Sequence, residues 1–84
     1  MSRLNWFVVK DAVEDLTEQK EEPVTSREIW EEAKNEKNGL NYSTVKNMLK
    51  KLIDSNTNIK RRKREGAGNV YEYYTRSFEA EYIK

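Results

Sequence analysis

Between Lys46 and Arg64 the chain carries eight basic residues and a single acid, Asp54, and five of the eight, Lys60-Arg61-Arg62-Lys63-Arg64, are consecutive. One or two cations would protect an edge strand from aggregation. Five in a row repel one another and need an anionic partner, which points to phosphate. A bare basic tract could instead serve as a nuclear-localisation signal, but its place in a hairpin arm favours phosphate contact. A second set stands upstream in Ser43, Thr44, Lys46 and Asn47. These side chains donate to phosphates and to base edges, and asparagine pairs bidentately with adenine. The expectation is base readout by Ser43, Thr44, Lys46 and Asn47, with backbone contacts from Lys50, Lys51, Lys60, Arg61, Arg62, Lys63 and Arg64.

Other chemistries find little material. The 84 residues include no cysteine and no histidine, so disulfides and a Cys/His zinc site are excluded, and neither a metal nor a cofactor is expected. There is no Gly-rich phosphate loop, no imidazole base for the serines and threonines, and no carboxylate pair that stands out among the surface acids. The chain does not read as an enzyme. No apolar run approaches the ~20 residues of a membrane span, and Met1-Ser2-Arg3-Leu4-Asn5-Trp6 lacks a signal-peptide layout. The expectation is a soluble, cytoplasmic protein with no membrane partner. The net charge of +1 hides an asymmetry: residues 1–42 carry six Lys/Arg against ten Asp/Glu, and residues 43–84 carry ten against five. A basic stretch confined to one half is an electrostatic footprint of nucleic-acid binding.

Three helices and a hairpin must position these groups. Around residues 4–20, Trp6, Val8, Val9, Ala12, Val13 and Leu16 fall on one side of a helical wheel, with Lys10, Asp11, Glu14, Asp15 and Glu18 on the other. Leu4 and Phe7 land on the charged side. After Pro23, Thr25 and Glu28 form a capping box, and Val24 and Ile29 occupy the two positions of a hydrophobic staple. The second helix, about 26–37, buries Ile29, Trp30 and Ala33 and stops before Gly39. The third, about 42–54, enters through Asn41 or Ser43 as cap. Its apolar face is Val45, Met48, Leu49, Leu52 and Ile53. Ser43, Lys46, Asn47, Lys50 and Asp54 lie opposite, flanked by Thr44 and Lys51, with one i,i+4 spacing of opposite charge (Lys50 and Asp54) in place of the alternating Glu–Lys pairs of an ordinary solvated face.

After the Ser55-Asn56-Thr57-Asn58 turn come strand-like runs at about 59–64 and 70–75, joined by Glu65-Gly66-Ala67-Gly68-Asn69. Val24 is placed to add a very short strand. A short terminal helix is expected over about 77–83. The predicted fold is α+β, mainly α: one domain over 1–84, a winged helix-turn-helix with three helices followed by a two-stranded β-hairpin wing. Trp6, Trp30, Tyr71 and Tyr73 are assigned to the core. Only Tyr74 and Tyr42 are left free to stack on bases, too few for a single-strand binder.

Residues 22–82 resemble the DNA-binding domain of the penicillinase-repressor family. The resemblance rests on Pro23-Val24-Thr25-Ser26-Arg27-Glu28-Ile29-Trp30-Glu31-Glu32, on Leu40-Asn41-Tyr42-Ser43-Thr44-Val45-Lys46-Asn47-Met48-Leu49 and its continuation to Asp54, and on Gly68-Asn69-Val70-Tyr71-Glu72-Tyr73. Tyr42-Ser43-Thr44-Val45 looks like the opening of that family's recognition helix, and Arg64-Glu65-Gly66 like its wing turn. The resemblance implies a dimeric transcriptional repressor that reads the major groove of double-stranded DNA. Where the family has Lys-Gly after the recognition helix, this chain has Ser55-Asn56. The family dimerises through helices after the wing, where Ser77–Ile83 allows about two turns. The chain is therefore read either as a DNA-binding fragment or as pairing another way.

The candidate homodimer contact is Leu4, Phe7, Phe78 and Tyr82, which would form one apolar patch if the two ends of the chain lie close together. The alternative is that Leu4 and Phe7 fold over the edge of the core. A competing reading of the whole domain is a protein–protein interaction module, because the fold alone does not determine function.

Overall fold

Three local signals set where the helices begin. Thr25 accepts a hydrogen bond from the Glu28 amide (3.3 Å) while the Glu28 carboxylate accepts from the Thr25 amide (3.1 Å). The Asn41 side chain accepts from the Thr44 amide (2.8 Å). Thr75 accepts from the Phe78 amide (3.1 Å), which starts a helix directly at the end of a strand. In each case a side-chain oxygen satisfies an amide that the first helical turn leaves without a partner.

The computed structural model describes residues 4–55, 57–66, 68 and 70–82. The expected features at Asn56, Ala67, Asn69 and Ile83 fall outside them. The order is α1 (Asn5–Lys20), β1 (Val24–Thr25), α2 (Ser26–Glu36), α3 (Tyr42–Asp54), β2 (Ile59–Lys63), β3 (Tyr71–Thr75) and α4 (Arg76–Tyr82). The architecture is α+β and mainly helical. Helix α1 closes on Glu21 in the left-handed region (φ 55°), whose amide bonds to the Thr17 carbonyl at 2.9 Å.

The sheet has three strands: the two of the expected hairpin and the very short strand expected at Val24. Its order is β1-β3-β2, antiparallel throughout, with Val24 opposite Tyr73 and Ile59 opposite Thr75. Val24 is drawn in because the staple with Ile29 holds it in the core, and its extended backbone then meets β3. The terminal helix starts one residue earlier than 77 because Thr75 caps it. The core joins Val8, Val9, Ala12, Val13 and Leu16 of α1 to Val24, Ile29, Ala33, Leu40, Val45, Leu49, Leu52, Ile59 and Tyr73, with Trp30, Met48, Ile53 and Tyr71 packed against it. No helix among the described residues is long and apolar enough to cross a membrane.

Two assignments of aromatic residues change. Trp6 is 37% exposed and stacks on Phe7 (ring centroids 3.9 Å apart, 23° between planes). It sits in the first turn of α1, ahead of the neighbours that cover Val8 and Val9. Tyr74 is buried, not free. It lies on the sheet face opposite Tyr73, where α4 brings Phe78 (6.3 Å between centroids) and the Glu79 carboxylate over it.

Candidate nucleic-acid interface

Helix α3 separates its two roles cleanly. Val45, Leu49 and Leu52 are buried, while Ser43, Lys46, Asn47, Lys50 and Lys51 are exposed and Thr44 is half-buried. The exposed stripe is therefore held in place from behind by the core. Its first turn is braced from α2: the Ser26 and Tyr42 hydroxyls share a hydrogen bond of 2.8 Å, and the Trp30 and Tyr42 rings lie 5.8 Å apart. The Lys46 ammonium lies 5.6 Å from the Tyr42 ring centroid.

The register of β2 sorts the five consecutive cations into two sets. Arg61 and Lys63 share a strand face with buried Ile59 and stand opposite Tyr73 and Tyr71, on the sheet face that packs against α1, α2 and α3. The Arg61 guanidinium lies over the Tyr71 ring, 4.4 Å from its centroid. Lys60 and Arg62 point to the other face. There Lys60 meets Glu79 at 2.9 Å, and Arg62 and Arg64 both meet Glu72, at 2.7 and 3.1 Å. The run was expected to need an anionic partner from outside the chain. For three of its five members the fold supplies one, because β3 and α4 bring two carboxylates alongside β2.

The titration behaviour follows the same layout. Burial pushes the Tyr73 phenol up, against the pull of the nearby Arg61 guanidinium; Tyr42 and Tyr71 add to the rise. Arg61 is also the cross-strand partner of Tyr73. On the acidic half, burial and then Asp11, Glu14, Glu18 and Glu36 push the Asp15 carboxyl up. Among the described residues no group of three or more His, Cys, Asp or Glu could hold a metal ion.

Leu4, Phe7, Phe78 and Tyr82 are not brought together. Leu4 and Phe7 (60% and 41% exposed) lie at the start of α1. Phe78 is 7% exposed, packs on Tyr82 (4.7 Å between centroids) and, with Glu14, Thr17 and Glu18, lines a hollow beside the second half of α1. The Tyr82 hydroxyl reaches Glu21 beyond the end of α1. The two pairs are separated along α1: from Phe7 to Thr17, beside Phe78, the helix rises ~15 Å at 1.5 Å per residue.

Three residues of this surface escape sequence reasoning. Tyr42 braces α3, Tyr71 carries Arg61, and Glu72 holds two arginines. Only the strand register, which pairs Arg62 with Glu72 and Lys63 with Tyr71, exposes the last two roles. Comparisons with protein-family models, with curated proteins and with solved structures found no match to the chain.

Proposed function

We propose that this chain is a winged helix-turn-helix domain that binds duplex DNA sequence-specifically as a cytoplasmic, repressor-like transcription regulator. The observation that carries the reading is an exposed polar and basic stripe on α3 together with Arg61 and Lys63 on the sheet face that shares a core with α3. Lys46 lies at Tyr42 in the first turn of α3; on β2, Arg61 lies over Tyr71 and opposite Tyr73, whose ring shares one core with Val45, Leu49 and Leu52 of α3. In this reading α3 enters the major groove, with Ser43, Lys46 and Asn47 at base edges and half-buried Thr44 at the margin. Lys50, Lys51, Arg61 and Lys63 meet phosphates. The resemblance to the penicillinase-repressor family supports the same function on its motif segments alone.

The test is selection of bound sites from random duplex, followed by titration of the enriched site at rising salt. Enrichment of a defined site, with affinity falling by ~0.9 log units per phosphate contact for each tenfold rise in salt, is expected. No enrichment, or binding indifferent to salt, overturns the reading.

A second reading, a domain that pairs with a copy of itself, is favoured by the exposed Trp6–Phe7 stack. It stands beside an apolar hollow lined by Trp6, Met48 and Leu52. Sedimentation of the wild type and Phe7→Ser at micromolar concentration tests it. A wild-type monomer overturns it.

A further inference from the structure

Glu72 is the only acid in β2 and β3. Its side chain is 10% exposed, and each carboxylate oxygen accepts from a different arginine: Oε2 from Arg62 Nε at 2.7 Å and Oε1 from Arg64 Nε at 3.1 Å. Both guanidiniums are thus engaged in charge-assisted bonds of the kind they would make to a phosphate. Arg62 also lies 5.8 Å from the Tyr74 ring centroid, which fixes it further on the face turned from α3.

The geometry points to Glu72 as an internal competitor of phosphate: it holds Arg62 and Arg64 out of the DNA-binding surface and so limits sequence-independent affinity. This inference rests on the DNA-binding reading. Phosphate contacts strengthen binding to every duplex alike, whereas base contacts distinguish sites. A hairpin that offered all five cations would raise binding to any sequence and narrow the margin for the preferred one. With Glu72 in place, Arg61 and Lys63 are the cations the run presents beside α3. Strand β2 is an edge of the sheet, so long side chains released from Glu72 can turn around it toward a duplex lying on α3.

The test is Glu72→Gln, which keeps the shape and removes the charge. It is titrated beside the wild type on random-sequence duplex and on the preferred site. Tighter binding of random duplex is expected. The affinity lost between about 50 and 200 mM salt should grow roughly tenfold, two contacts at ~0.9 log units each. The ratio of preferred-site to random affinity should fall. A second measurement needs only the wild type: the Nε–H resonances of Arg62 and Arg64 should stay in place when duplex is added, while that of Arg61 moves. Wild-type duplex binding that Glu72→Gln leaves unchanged or weakens, or Arg62 and Arg64 resonances that shift with duplex, overturns the competitor role alone. If neither protein binds any duplex, the DNA-binding reading falls and this role with it.

Discussion

Trp30 in α2 donates its indole N–H to the Leu40 carbonyl, 2.9 Å away, and so ties α2 to the segment that leads into α3. Trp30→Phe keeps most of the apolar surface and removes the donor. It should cost about 1–2 kcal/mol, the net value of one hydrogen bond plus a carbonyl left poorly satisfied. Urea denaturation measures this, and an unchanged midpoint would mean that the bond adds nothing to stability.

The capping box gives a prediction with a pH dependence. Thr25→Ala should destabilise by about 1 kcal/mol. Burial alone would raise the Glu28 carboxyl, but Lys20 and the Thr25 amide and hydroxyl outweigh it and hold the group below its ordinary range. The folded state therefore binds this proton less tightly than the unfolded state. Its contribution is complete above the ordinary carboxylate range and is lost as pH falls through the lower, folded-state value. Glu28→Gln should accordingly be less stable than wild type at pH 7, with the gap closing in acid. Thermal melts from pH 7 down to about pH 3 would reveal a gap of constant size if this account were wrong.

Readout by α3 is tested at two residues of its exposed stripe. Asn47→Ala and Lys46→Ala should each cost about 1–3 kcal/mol on the preferred site and relax base preference there, while leaving urea stability within ~0.5 kcal/mol because both side chains are exposed. Competition assays with a panel of single-base variants would show it. Wild-type selectivity in both proteins counts against α3 as the reading element.

The hairpin cations should act differently. Arg61→Ala and Lys63→Ala should weaken binding to all duplexes about equally and flatten the salt slope by about one unit apiece. Arg61→Ala should also lose the contact that covers the Tyr71 ring. Titrations at three salt concentrations give the slopes, and slopes equal to wild type would remove these residues from the interface.

Phe7 and Phe78 should part company in stability. Phe78→Ala opens a hole between Tyr74 and Tyr82 and should cost about 3–5 kcal/mol. Phe7→Ser, on an exposed ring, should cost roughly 1 kcal/mol or less. Similar losses in chemical denaturation would contradict the placement of the two rings.

Local rules account for much of what the sequence by itself determined. The α1 stripe, the Thr25–Glu28 box, the Asn41 cap and the two faces of α3 each depend on residues three to eight positions apart. Such residues interact through helical periodicity and short hydrogen bonds whatever the rest of the chain does. That is why Val45, Leu49 and Leu52 could be assigned to the core, and Ser43, Lys46 and Asn47 to the surface, from spacing alone. The third strand was less legible, because two residues carry no periodic signal and Val24 becomes a strand only by meeting Tyr73.

Tertiary structure decided the charges and the aromatic rings. A run of five cations has no faces until β2 acquires a partner, and its meaning turns on which carboxylate each cation meets. Glu72 is 10 residues from Arg62, and Glu79 is 19 from Lys60. Those separations are set by the hairpin and by the fold-back of α4, not by any local pattern. The same fold-back buries Tyr74 and Phe78. Trp6, 37% exposed, stacks on Phe7 and does not join the core. Charge and aromaticity read from sequence name the available chemistry; which of it faces outward depends on neighbours that only the folded chain brings into contact.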